Sequence, residues 1–90
     1  MSGFQGVQID AAYQTAGLMK TYADQLETHV REITGDLPEC QWTGPDAERF
    51  RGDWAGTFSV NLMNAAEELR GHAAKLSKRA ERQVNASRLG

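Results

Sequence analysis

The sequence predicts an all-α protein: an antiparallel helix-turn-helix hairpin that dimerises into a four-helix bundle. Three observations predict it. Two long stretches carry apolar residues at alternating steps of three and four, a cluster of turn residues separates them, and no alternating strand pattern competes anywhere. Ninety residues make a single domain over 1–90. The expected helices run over about 8–38 and about 44–85, with the turn at 42–44. A chain this short leaves a large share of its surface in water, so pairing is expected from size alone.

The first helix is read from Ile9, Ala12, Ala16, Met19, Ala23, Leu26, Val30, Ile33 and Leu37, a heptad seam without a missed step. Asp10 near its expected start suits the positive end of the helix dipole. The alanines early in the seam would let another helix approach closely. Tyr13, Leu18 and Tyr22 lie off the strict seam and widen the apolar face toward a partner molecule. The helix is expected to end in "GDLPEC", where Pro38 biases Leu37 away from helical geometry, with a kink and one further turn as the alternative.

The turn and the start of the second helix lie in "QWTGPDAERFRGDW", residues 41–54. Thr43 is placed to cap the helix through its hydroxyl, with Asp46 three residues on as a shortened capping box. Pro45 belongs in the first turn, where its missing N–H costs nothing. Asp46 and Glu48 complement the dipole.

The second seam reads Ala47, Phe50, Trp54, Phe58, Leu62, Ala65, Leu69, Ala73, Leu76, Ala80 and Val84. Between Phe50 and Leu62 the steps are three fours in a row, which is expected to straighten the supercoil locally. Gly52 and Gly56, spaced i, i+4, leave a smooth strip for a neighbouring helix. Each of Gly52, Gly56 and Gly71 weakens the helix by about 1 kcal/mol relative to alanine. Folding the chain at residue 42 sets Ile33 opposite Phe50, Val30 opposite Trp54 and Leu26 opposite Phe58. Farther down, Met19 meets Ala65, Ala16 meets Leu69 and Ile9 meets Leu76. The expected hairpin core is therefore Leu26, Val30, Ile33, Phe50, Trp54 and Phe58. Two helices cover only one side of each other, so the wider face is expected to dimerise, with Met19, Tyr22, Leu62, Leu69 and Leu76 as candidates.

Charge is distributed unevenly. Residues 1–40 carry two basic and six acidic side chains, and residues 41–90 carry eight basic and six acidic ones, which suits two helices lying side by side. The net charge of −2 gives no general pull on nucleic acid or an anionic membrane. A nucleic-acid tail built on Lys75, Lys78, Arg79, Arg82 and Arg88 is the weaker reading: Glu81 interrupts the run and no aromatic residue lies near it in sequence. No apolar run is long enough to span a bilayer, and residues 1–10 lack the basic and apolar regions of a cleaved signal peptide. Both ends, 1–7 and 86–90, are expected to fray.

Catalytic chemistry finds no footing. His29 and His72 are the only histidines, and neither HxxxH nor CxxC is present, so no metal site and no cofactor are expected. No GxSxG turn places a serine nucleophile. Cys40 and His29 are about 16 Å apart along a helix, too far for a dyad. Glu67 and Glu68, adjacent on a helix, point apart. Cys40 is the only cysteine, so no internal disulfide forms. Asn85-Ala86-Ser87 fits a glycosylation sequon, a pattern short enough to arise by chance. The chain is read as a non-enzyme.

Trp42-Thr43-Gly44, followed by Ala47, Phe50 and Trp54, resembles the signature of the WXG family of small type VII (ESX) secretion proteins (early secreted antigen-like). The resemblance extends to chain length and to the central place of the turn between two amphipathic helices. It implies a helical hairpin that pairs with a second WXG-type protein or with itself, the heterodimer being slightly favoured. It implies export through a type VII secretion ATPase complex, mainly in actinobacteria, from the cytoplasm and without a cleaved signal peptide. Neither nucleic acid nor membrane insertion is implied. Trp42 and Gly44 are the turn motif, and the corner is a surface that a secretion component could read. One departure concerns export: the family's C-terminal Tyr-x-x-x-Asp/Glu signal has no counterpart, since no tyrosine follows Tyr22. The functional expectation is a non-enzymatic secretion substrate or secretion partner. The alternative is an intracellular coiled-coil adaptor or immunity-type protein binding a toxin domain.

Overall fold

The computed structural model describes residues 3–89, with the side chains of 4, 5 and 87–89 left undescribed. Helix α1 runs Gly3–Asp36 and is followed by a 3-10 turn, Leu37–Glu39. Helix α2 runs Pro45–Asp53, a π-helical turn follows at Trp54–Phe58, and α3 continues over Ser59–Leu89. Among the described residues there is no strand, and no helix is long and apolar enough to cross a membrane. The chain folds back on itself into a rod of 67 × 17 × 15 Å, with α1 packed along α3.

The α1 seam sorts into two depths. Ile9, Ala16, Ala23 and Val30, seven apart, are buried, while Ala12, Met19 and Leu26 between them are half-buried. On α3, Ala66, Ala73 and Ala80 are buried at the same spacing, with Leu62, Leu69 and Leu76 half-buried between. Alanine thus fills most of the innermost positions. Small side chains bring two helices close but remove little apolar area each. Trp54, the one large buried side chain among the described residues, therefore counts disproportionately.

Four expectations are corrected. Helix α1 begins at Gly3 rather than near residue 8, so Asp10 lies two turns inside it and the first turn holds no acidic residue. Residues 3–7 are thus helical instead of frayed, as is Ala86; residues 1, 2 and 90 lie outside the described residues, as do the side chains of Ser87 and Arg88. Thr43 is not the cap. Gly44 holds that position at φ 112°, ψ 175° with no side-chain cap hydrogen bond, and its carbonyl accepts the Glu48 N–H at 3.0 Å. Pro45 opens the helix, and Asp46 and Glu48 lie in its first turn.

The third correction concerns the seam. Ala65 is exposed and Ala66 is buried. The run of four-residue steps from Phe50 passes through the π-turn, which takes in one residue more than an α-turn, and Ala66 takes the place expected of Ala65, while Leu62, Leu69, Ala73, Leu76, Ala80 and Val84 face inward as expected. The fourth concerns register. The expected pairing sets Arg70 beside Thr15, whereas Arg70 is paired with Asp24 and Glu27, nine and twelve residues farther along α1. The chain does not fold sharply at 42. The 3-10 turn, the link 40–44 and the π-turn carry α3 past the expected position. Apolar residues still meet apolar residues, because a heptad seam matches itself again after each shift of three or four.

Gly44 has a conformation that only glycine adopts readily, with positive φ and extended ψ. A Cβ there would meet nothing within 4 Å, so the obstacle is backbone strain and not space. Gly44→Ala is expected to lower stability by about 1–3 kcal/mol, read as a fall in the urea midpoint with an unchanged slope.

Candidate functional site

The tip is assembled by one arginine. Arg51 lies four residues after Ala47 and three before Trp54, a charged residue at an apolar seam position. Its guanidinium Nε donates to the Leu37 carbonyl at 3.1 Å. One terminal nitrogen donates to the carbonyls of Cys40 at 2.9 Å and Trp42 at 2.8 Å. These carbonyls follow the end of α1, where backbone acceptors lack helical partners. The link 40–44 is thereby held against α2 by a group that stays charged and donates in a fixed planar geometry. Thr34 supplies the second tie. The Trp54 indole N–H donates to Thr34 Oγ1 at 2.9 Å, and Thr34 Oγ1 donates to the Val30 carbonyl at 2.7 Å.

Above these ties the tip presents aromatic rings to solvent. Trp42 and Phe50 have ring centroids 5.9 Å apart, and Phe50 and Phe58 are 6.4 Å apart, both tilted. Such spacings are those of favourable aromatic pairs. All three rings remain 38–45 % exposed.

The structure thus divides the expected core. Val30 and Trp54 are buried and Leu26 is half-buried. Ile33, Phe50 and Phe58 are 38–44 % exposed and are not core residues of the single hairpin. They stand outside because two helices cover only the innermost seam, and because Trp54 is tied to Thr34, four residues nearer the turn than its expected partner Val30. The expected dimer face divides in the opposite sense. Met19, Leu62, Leu69 and Leu76 are half-buried between the helices, and Tyr22 alone among the candidates projects fully, at 55 % exposure. Tyr13 and Leu18 are exposed as well. Cys40 is a free, exposed thiol, and Trp42 and Gly44 stand beside it at the tip.

Midway along the rod Arg70 of α3 bridges Asp24 at 2.6 Å and forms an ion pair with Glu27. Glu27 also pairs with Arg31 at 3.2 Å on its own helix. The hydrogen bond from Arg70 holds the Glu27 carboxyl below the usual carboxylate range, against an opposing push from partial desolvation. The two carboxylates in turn hold Arg70 protonated more firmly than usual. A depressed carboxylate stabilises the fold above its unfolded pKa and loses that contribution as pH falls through the lower, folded value. Thermal stability should therefore decline on acidification below about pH 4.5, the ordinary value for this group. Glu27→Gln should flatten that part of the profile, measured by melting between pH 2 and 7.

On the same side as Thr34, a largely apolar groove of about 420 Å³ is lined by Val30, Arg31, Thr34, Gly35, Ser59 and Met63. No cluster of three or more His, Cys, Asp or Glu side chains among the described residues could hold a metal ion. His29 faces Glu32 at 3.4 Å on the helix surface, and His72 is exposed. No family model, curated protein or solved structure matches the chain.

Proposed function

We propose that the chain is a non-enzymatic type VII secretion substrate or secretion partner that works by helix–helix association. The observation that carries the reading is the unfinished packing of a two-helix rod. Trp42, Phe50 and Phe58 form a continuous aromatic edge in water at the tip, and Ile33, Val60, Tyr13, Leu18 and Tyr22 are exposed elsewhere on the rod. Scattered exposed apolar residues are ordinary, but a contiguous edge marks a contact surface. Pairing with another hairpin would cover it and complete a four-helix bundle. The resemblance of Trp42-Thr43-Gly44 to the WXG turn supplies the secretion context. Gly44 is the position at which that turn needs a glycine.

The test is co-purification from the native host, followed by light scattering of the purified species. The expected result is a complex of two hairpins, of which this chain contributes 9.9 kDa. Deleting the host's type VII ATPase should keep the chain out of the culture medium. A stable monomer with no companion, present in the medium regardless of that ATPase, would sink the reading.

A further inference from the structure

Charge divides the rod along its length. Residues 24–70, which hold the turn, carry four basic and ten acidic side chains. Residues 3–23 and 71–89, the open half away from the turn, carry six basic and two acidic ones. Lys75, Lys78, Arg79 and Arg82 line a shallow depression on α3, all exposed and none in an ion pair among the described residues.

The fold keeps these cations apart from the two acids of their own half. One flank of the rod is marked by Arg70 with Asp24 and Glu27. Asp10 precedes Asp24 by two heptads, and Glu81 follows Arg70 by eleven residues, three full turns, so both acids lie on that flank. His72 and Arg79 directly precede buried Ala73 and Ala80 and face the other flank. Lys75 and Arg82 follow them by three and share their face, and Lys78 adjoins both at steps of three and four. The helix thus turns Glu81 away from the stripe that it interrupts in sequence.

Helix α1 brings an aromatic ring to the stripe. Tyr22 directly precedes buried Ala23, whereas Asp24 directly follows it, so Tyr22 lies on the flank opposite Arg70. Arg70 meets Asp24 and the helices run antiparallel, which sets Tyr22, two before Asp24, level with His72, two after Arg70. Lys75 is then about 4.5 Å farther along the axis. Leu18, four before Tyr22, shares its face. Tyr22 is 55 % exposed and Leu18 45 %. A ring in water beside a row of cations is the arrangement that holds an unpaired strand, whose phosphates follow the charges while a base stacks on the ring.

We propose that this flank binds single-stranded nucleic acid, with Lys75, Lys78, Arg79 and Arg82 neutralising phosphates and Tyr22 stacking on a base. A rod 17 × 15 Å in section is too thick to enter the major groove of a duplex, which is about 12 Å wide. A bilayer surface calls for a broad apolar face to sink into it. Here Leu18 and Tyr22 are the large exposed apolar side chains beside four charges on this flank, among the described residues. The aromatic edge at the tip lies in the other half, so this binding goes beyond helix–helix association and is compatible with it.

Fluorescence anisotropy of the full chain with a labelled oligothymidylate of about 16 nucleotides, an ordinary single-strand site length, tests this. Binding should weaken about fiftyfold between about 50 and 200 mM NaCl, since the logarithmic slope is roughly −0.7 for each of four phosphates. Lys75→Gln/Arg82→Gln should halve that slope and lower affinity at least about tenfold at the lower salt. Tyr22→Ala should bind about tenfold more weakly with an unchanged slope, because it removes stacking and no charge. Lys20→Gln, seven before Glu27 and so on the opposite flank, should change affinity by no more than about twofold. Circular dichroism verifies that each variant, altered at exposed positions, keeps wild-type helicity. No binding by the wild type, or equal losses from Lys20→Gln and the stripe variant, would overturn the site. Unchanged affinity in Tyr22→Ala, or a duplex of the same length bound as tightly, would overturn the single-strand assignment. Flotation with phosphatidylglycerol vesicles, lost in the stripe variant and without oligonucleotide binding, would assign the stripe to a membrane surface and overturn the proposal.

Discussion

Replacing Trp54 with alanine is expected to cost about 3–5 kcal/mol, the range for truncating a buried aromatic side chain. Trp54 is 7 % exposed and, among the described residues, is the only large side chain in a core otherwise made of alanines, Ile9 and Val30. Its removal would leave Thr34 Oγ1 without the indole donor it now accepts at 2.9 Å. A domain of this size has a total stability of roughly 5 kcal/mol or slightly more, so the variant should be substantially unfolded near 37 °C. Thermal and urea melts followed by circular dichroism provide the measurement. Trp54→Phe separates the two contributions. It keeps most of the volume and loses the hydrogen bond, so it should cost about 1 kcal/mol plus a small cavity term. A melting point unchanged in Trp54→Ala would show that the hairpin is held by its alanine seam alone.

The second large effect is expected at Arg51. Alanine there removes three charge-assisted hydrogen bonds to the carbonyls of Leu37, Cys40 and Trp42. Bonds of this kind contribute about 1.5–3 kcal/mol each in protected sites. The carbonyls of Cys40 and Trp42 are exposed and can turn to water, so the net loss should be roughly 3 kcal/mol for the set. Arg51→Lys should recover only a fraction, since an ammonium is a point charge and cannot reproduce the planar fork. The effect should be local. Amide exchange in 37–44 should accelerate in both variants, while protection of Ala66, Ala73 and Ala80 should fall only by the global loss of stability. Equal acceleration everywhere would mean that Arg51 holds the whole rod and not its tip.

These two residues illustrate how unevenly the chain could be read in advance. Trp54 was legible as core because it falls on the apolar seam. Arg51 lies equally close to that seam, but apolar periodicity does not mark it, because a charged residue ordinarily belongs to the surface. The exception is a charge with three backbone acceptors in reach, and that requires knowing where the end of α1 lies. Phe50 and Phe58 failed in the other direction. They follow the seam in steps of four, yet two helices can bury only the innermost stripe of each other. Their exposure follows from the number of helices present, which periodicity does not contain.

The all-helical class, the place of the turn at Trp42 to Gly44, Pro45 in the first turn of α2 and the inward direction of most seam positions follow from local sequence. Each of these depends on residues within a few positions of one another, through helical period, proline geometry and the conformational freedom of glycine. The register, the π-turn and the division of the apolar residues between core and edge depend on how the two arms pack. A heptad seam matches itself again after every three or four residues, so apolar matching leaves several registers nearly equal. The length of the link, the extra residue at Trp54–Phe58 and the meeting of Arg70 with Asp24 and Glu27 selected one among them. Those are long-range facts, and they decide which apolar side chains are covered and which stand in water.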